Sequence, residues 1–469
     1  MTKAADTHTQ APEKPSLEDL NDIQGLVARD YDRMAEVCHF VLKVDSPAAA
    51  KAFIGSCHDK IATARDNGAK VCLNLGFTFA GLTALGLEEE CKKLRTKPEL
   101  EAFVQGAAER ADSIGDVGES APRRWKDGLG KPDNVHALLS LYAEAGYLSN
   151  ARKELEAAVK GAFNIVSTNP GARLPDGRIH FGYKDGISQP RVEGLPLRNA
   201  PDGSSKDPSR AGAFVLGYPS QFGRLKPGKE GPPEFEGHTY DFAFPADLGR
   251  NGTFAVFRIM EQDVHRFEEL LTQQAELLAE NAGPLTPEEK RALVEKNREL
   301  VAARICGRWR DGTPLVNSPN TADKDPDPDP DNTFSYKEKD PFGKACPFSA
   351  HIRRTNPRDD TVAGNSGQKH RIIRSAMPYG KPYGGEKDKV ERGLLGLFFC
   401  ANIADQFEFI MKNWVNRGGF QGNLPATNTD PLIGINSFIR TRGAAYCFFP
   451  SIKGLQYIAG NRTGTLTSG

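Results

Sequence analysis

Four times along the chain a short apolar run gives way to a polar cap and then to a helical stretch. That order constrains the fold more than any other feature of the 469 residues. The first unit is HFVLKV (39–44), then Asp45-Ser46-Pro47, then AAAKAFIGSC. Ser46 followed by Pro47 has the form of an N-cap with proline at the first helical position, where its missing N–H costs nothing. The second unit is VHALLSLYAE (135–144) before NARKELEAAVKGA, and the third is GTFAVFRIM (252–260) before EQDVHRFEELLTQQAELLAEN. The fourth is GLLGLFFCAN (393–402) before IADQFEFIMKNW. Each apolar run is short and rich in branched or aromatic side chains, which reads as a buried strand flanked by a helix. Two such units with further strands between them make one ferredoxin-like βαββαβ module, so four units predict two modules, each an antiparallel sheet with helices on one face. KVCLNLGFTF (70–79), FNIVST (163–168) and AAYCFFP (444–450) are candidates for the further strands.

The rest of the chain is punctuation. Residues 1–20 read as a disordered tail, 21–215 as an N-terminal module and 216–469 as a C-terminal module. The boundary is placed within the Pro-, Gly-, Ser- and Lys-rich stretch 190–235. Residues 261–300 read as two helices broken at Gly283-Pro284, with a fresh start at Thr286-Pro287-Glu288-Glu289. SPNTADKDPDPDPDNT (318–333) alternates Asp with Pro, which forbids a helix and favours an extended, solvated loop over a cation site.

Composition excludes several classes of function. Lys plus Arg equals Asp plus Glu, so there is no electrostatic footprint for nucleic acid. No run approaches the ~20 apolar residues that span a bilayer, and the polar N-terminus has no apolar signal segment. Eight cysteines are scattered without CxxC pairs; they read as reduced thiols of a cytoplasmic protein and lack zinc-site spacing. P-loop, GxSxG and HExxH patterns are absent.

Two of the nine histidines stand among arginines. His351 lies in CPFSAHIRRTNPRDD with Arg353, Arg354 and Arg358; His370 lies in QKHRIIRSAMPYG beside Arg371 and Arg374. Guanidinium pairs with carboxylate or phosphate in a bidentate fork. An imidazole with several guanidiniums therefore suits a cofactor that carries both a metal and acid groups, as haem does. On spacing alone, a surface salt-bridge patch ranks above that reading. FGYKDGISQP (181–190) sets Asp185 on a tight turn, and by itself the Asp-Gly pair signifies only the turn.

Taken together these stretches resemble the dye-decolourising peroxidases. FGYKDGISQP resembles that family's GxxDG motif, CPFSAHIRRTNPR its proximal-histidine segment and RSAMPYG its distal-arginine segment. DIQGLV (22–27), GFTFAGLTALG (76–86), GRWRDGTPL (307–315), the GLLGLFF–DQFEFI unit (393–410) and AAYCFFPSIKGL (444–455) extend the likeness over most of the chain in the same order. The long insertions and the CP–AHIRRTNPR form resemble the larger subclass with fungal and bacterial members.

The resemblance implies an α+β fold, two ferredoxin-like modules in a dimeric α/β-barrel-like arrangement of antiparallel sheets, with haem in the second. It implies a peroxidase with heme b (iron protoporphyrin IX) that reduces hydrogen peroxide through a ferryl state and oxidises dyes, phenols or other small donors. A haem-handling protein that releases iron, with little peroxidase turnover, is the alternative. His351 matches the proximal iron ligand, Asp185 the distal acid/base, Arg374 the distal arginine and Arg358 a propionate partner. Leu397 and Phe399 match residues lining the distal face; two apart on a strand, they share a side. Arg374 would hold Asp185 ionised and stabilise charge on the leaving oxygen, and Gly186 would leave room beside the carboxylate. Asp405 or Glu408 is the expected acceptor behind His351. Trp309, Trp414, Tyr336 and Tyr379 are candidates for surface oxidation, and Mn(II) at the acidic loop ranks below them. Neither nucleic acid nor membrane is implied as a partner, and monomer and homodimer both stay open.

Overall fold

The computed structural model describes residues 14–29, 31–65, 68–196, 208–220, 244–322, 332–359, 369–385, 388–416 and 438–460. Its strands are β1 (Glu36–Val44), β2 (Val71–Phe77), β3 (Ala137–Ala143), β4 (Phe163–Ala172), β5 (Thr253–Gln262), β6 (Ile373–Tyr379), β7 (Gly393–Cys400) and β8 (Ile439–Phe449). Among the described residues they form one sheet in the order β4-β1-β3-β2-β8-β5-β7-β6. The first four strands and the last four follow the same permutation, and the named ladders are antiparallel. The halves meet where Phe77 of β2 pairs with Phe448 of β8. The far edges also approach: a Cβ on Gly171 of β4 would lie 2.8 Å from the Pro378 carbonyl of β6. Tyr142 Oη and Ser375 Oγ are 3.4 Å apart. The sheet therefore curls into a barrel-like wrap around a core in which His39 packs against Tyr142 and Phe257.

The helices begin where their capping chemistry allows. Ser46 accepts from Ala49 N at the start of α1 (Pro47–Cys57), and α2 (Leu148–Ala158) follows β3. Asp263 caps α3 (Val264–Glu280) by accepting from Arg266 N. α4 (Pro287–Cys306) opens with a reciprocal capping box, Thr286 Oγ1 accepting from Glu289 N while Glu289 Oε2 accepts from Thr286 N. It ends at Gly307 with φ +94°, a left-handed stop that only glycine takes without strain.

Two elements depart from the sequence reading. β6 was not foreseen, because Arg374 and Ser375 interrupt its apolar alternation; as an edge strand it tolerates Pro378. The helix after β7 is π-helical over Ala404–Glu408 and Ile410–Val415, with bonds such as Glu408 N to Ile403 O. Residues 211–216 are bonded into the second half, through Leu216 N to Gly252 O and Ala401 N to Ala213 O. Among the described residues no helix is long and apolar enough to cross a membrane.

Candidate active site

Among the described residues, the crossover from β1 to β2 holds one α-helix, α1, whereas the equivalent crossover from β5 to β6 holds α3, α4, a single turn at Tyr336–Lys339 and the short α5 (His351–Thr355). This long connection builds a wall that the first half lacks, and residues 177–189 are pinned to it. Phe181 packs on Phe267 of α3 with ring centroids 4.5 Å apart. Tyr183 Oη donates to Ala302 O of α4 at 2.7 Å. Lys184 N and Arg178 Nη1 both donate to the Arg310 carbonyl.

Asp185 sits at the open end of that segment. Gly186 N donates to Asp185 Oδ1 at 2.8 Å, which fixes the carboxylate's rotation. Among the described residues, a Cβ on Gly186 would meet nothing within 4 Å, so the space beside the carboxylate is open. The Gly186 φ of +74° is what calls for glycine.

Arg374 reaches the same place from β6. Its guanidinium donates to Ser188 O, and its backbone N donates to Gln189 Oε1 at 3.1 Å. Burial pushes the guanidinium below its ordinary value and the Asp185 carboxylate pulls it back up. His351 is pushed down to about 4, first by burial and then by Arg374. Arg374 is thus within electrostatic reach of both other groups. All three side chains nevertheless expose surface to a water-sized sphere. His351 and Arg374 are thus hemmed in by protein and yet open to water. Among the described residues none hydrogen-bonds the His351 ring, which is neutral near pH 7 and keeps a nitrogen lone pair for a ligand.

The arginines around His351 divide by role. Arg353 is fully buried, paired with Asp340 at 3.0 Å and stacked on Tyr336 and Phe348. Arg354 donates to the Trp414 and Val415 carbonyls. These two anchor α5. Arg358, buried with φ +53°, donates to the Asn332 and Phe334 carbonyls and stacks on Phe334. The sequence reading did not single out Arg308 of GRWRDGTPL. It donates to Asn332 Oδ1, and burial and then Arg358 push it down to about 10. Two guanidiniums held together in a dry place repel, and a carboxylate beside them would relieve that repulsion. The signal was Arg308's position inside a recognised motif; its proximity to Arg358 arises only from folding. His370 belongs to packing: it stacks on Phe409 at 3.5 Å and binds the Asp405 carbonyl.

Other expectations are overturned. Arg374 is the cross-strand partner of Phe398, whereas Leu397 pairs with Ser375 and Phe399 with Ile373. Paired residues share a face. Leu397 and Phe399 therefore point away from Arg374 into the core, where both are fully buried. Leu394, Gly396 and Phe398 are the β7 positions on Arg374's face. Neither proposed acceptor meets His351. Glu408 is held by Arg110 at 2.5 Å, Lys412 at 2.8 Å and Tyr446 Oη at 3.1 Å; Asp405 accepts from Asn402 Nδ2. Trp309, Trp414 and Tyr336 are buried, and Tyr379, half-buried, donates to Glu391 at 3.0 Å. Most of the acidic loop, residues 323–331, lies outside the described residues.

Known proteins of one family resemble this chain in sequence and in fold. Residues 303–454 match the model of the C-terminal region of Dyp-type peroxidases. The chain is 30% identical to the multifunctional dye peroxidase DyP2 of an Amycolatopsis species, across 77% of this chain and 71% of that one. It is 28% identical to the dye-decolorizing peroxidase msp1 of Mycetinis scorodonius, across 94% and 87%. The solved structure of an ancestral D-type dye-decolorizing peroxidase superposes with a TM-score of 0.74 at 26% identity, covering 93% of this chain and 98% of that one. The chain belongs to the dye-decolorizing peroxidase family and is a peroxidase, an oxidoreductase of a haem-dependent kind.

Proposed function

We propose that this chain binds heme b with His351 as its iron ligand and reduces hydrogen peroxide at a distal pair made of Asp185 and Arg374. The observation that carries this reading is that Arg374 is felt electrostatically by His351 and itself feels Asp185, with all three exposed to solvent. The donor set fits the cofactor: a neutral imidazole for iron, and Arg308 with Arg358 for the propionates. Haem would supply the redox chemistry that peroxide reduction requires. Asp185 would take the proton from the near oxygen of peroxide and deliver it to the far oxygen, so that water departs; such a positioned acid/base is worth ~10² to 10⁴ in rate. Arg374 would stabilise negative charge on the departing oxygen, worth ~10² to 10³. Gly186 N–H would hold the carboxylate in one rotation throughout.

Dyes and phenols are the donors we propose, in keeping with the names of the relatives. Leu394 and Phe398 replace Leu397 and Phe399 as the apolar residues assigned to the distal side. The free cysteines, seven of them buried, fit a reducing cytoplasmic compartment. The test is the visible spectrum of purified protein before and after one equivalent of peroxide, with a dye or phenol then added. A Soret band that shifts with peroxide and returns with the donor is expected. A preparation that stays colourless when supplied with hemin overturns the reading, and release of metal-free porphyrin would favour iron removal instead.

A further inference from the structure

Glu408, which serves no role at His351, is placed to serve a tyrosine. Tyr446 of β8 is 1% exposed, and its hydroxyl donates to Glu408 Oε1 at 3.1 Å. Glu408 is fully buried and kept ionised by Arg110 and Lys412. Burial and the Glu408 charge hold the Tyr446 proton firmly on its oxygen in the resting protein. The pair is also connected to the candidate active site. Phe398 is the cross-strand neighbour of Arg374. Its ring lies 5.4 Å from that of Phe407, and Phe407 lies 6.5 Å from Tyr446. An aromatic line thus runs from Arg374's face to a buried phenol whose proton already points at a carboxylate.

A phenol that loses an electron becomes a far stronger acid than any carboxylic acid. Beside the Arg258 cation, which also faces Tyr446, a positively charged ring would be further disfavoured, so the proton must leave with the electron. Tyr336 shows the contrast. It is stacked under Arg353, with the Cys346 thiol 4.0 Å from its hydroxyl and, among the described residues, no carboxylate bonded to that hydroxyl.

We infer that Tyr446 is a redox-active residue: it gives one electron to the peroxide-oxidised haem along the Phe398–Phe407 line while its phenolic proton passes to Glu408 Oε1. Tyr446 would become a neutral radical and Glu408 a carboxylic acid, the electron being taken up by the oxidised cofactor. An electron from a dye or phenol reverses both transfers. The pair would store an oxidising equivalent when no donor is present. This rests on the haem-peroxidase reading above.

The test is freeze-quenched EPR of the haem-loaded full chain after one equivalent of hydrogen peroxide, without donor. A tyrosyl signal that narrows on ring-deuterated tyrosine is expected, with most of it lost in Tyr446→Phe at unchanged haem content. In Glu408→Gln the signal should fall and its g-tensor should shift, because the proton acceptor is gone. A Tyr446→Phe protein with normal haem and an undiminished tyrosyl signal overturns the inference and leaves the peroxidase reading standing. A wild-type Soret band indifferent to peroxide overturns both. Should Tyr446→Phe fail to hold haem, the wild-type g-tensor decides: a strongly hydrogen-bonded tyrosyl supports the pair, and one lacking a hydrogen bond, or no tyrosyl at all, refutes it.

Discussion

His39 and His351 make the sharpest comparison between the two halves of the molecule. Burial drives both imidazoles neutral, His39 down to about 3 and His351 down to about 4. His39 is sealed in the barrel core, bonded to Ser140 Oγ at 2.8 Å and packed under Tyr142 and Phe257. His351 stands at the start of α5, exposed to solvent and within electrostatic reach of Arg374. A neutral buried histidine is therefore no sign of a ligand. Access, an unbonded ring and a complementary set of charges distinguish the two. The halves share a strand order, and what separates them is the length of one crossover: among the described residues the β1–β2 crossover carries α1, whereas the β5–β6 crossover carries α3, α4 and α5.

The comparison can be broken most decisively at the two histidines. His351→Ala should lose haem, with no Soret band after hemin loading and far-UV circular dichroism unchanged. Retention of a normal Soret band there would remove the asymmetry altogether. Next in size, Asp185→Asn should keep haem and slow its reaction with peroxide by ~10² to 10⁴ in stopped-flow absorbance. Arg374→Leu should slow it by ~10² to 10³. Equal peroxide kinetics in wild type and either variant would place the acid/base or the electrostatic role elsewhere.

Leu397→Ala and Phe399→Ala sharpen the contrast between core and cavity. Both side chains face the interior, so each should destabilise the fold by about 2–5 kcal/mol in urea melts. The folded fraction should react with peroxide at close to the wild-type rate. The smallest effect belongs to His39. Its unfolded-state value lies above its folded one, so the unfolded chain binds the extra proton and stability falls as pH drops below about 6.5 towards 3. The loss should be about 1.4 kcal/mol at pH 5.5, about one unit below the ordinary value, and His39→Phe should flatten that part of the pH profile.

Much of the site was legible because its motifs are local. The turn that presents Asp185, the α5 start that carries His351 and the capped helices around them depend on residues a few positions apart. Side-chain direction on a strand was not legible without its partner. Leu397 and Phe399 were read as facing the cavity, and a difference of one residue in pairing parity sends them into the core instead. Glu408 failed in the same way: on a regular helix its face is counted from its neighbours, but π-helical turns change that count and deliver it to Tyr446.

The sequence by itself determined the α+β class, because strand period and helix caps act over a few residues, whereas the three residues on which the proposed chemistry turns were singled out by the likeness of their motifs to a family. The tertiary structure alone decided that Arg374 pairs with Phe398, that Arg308 joins Arg358, and that Glu408 ends beneath a tyrosine. Those relations depend on strand register, a long crossover and the balance of burial against charge, none of which is a property of any one stretch of chain.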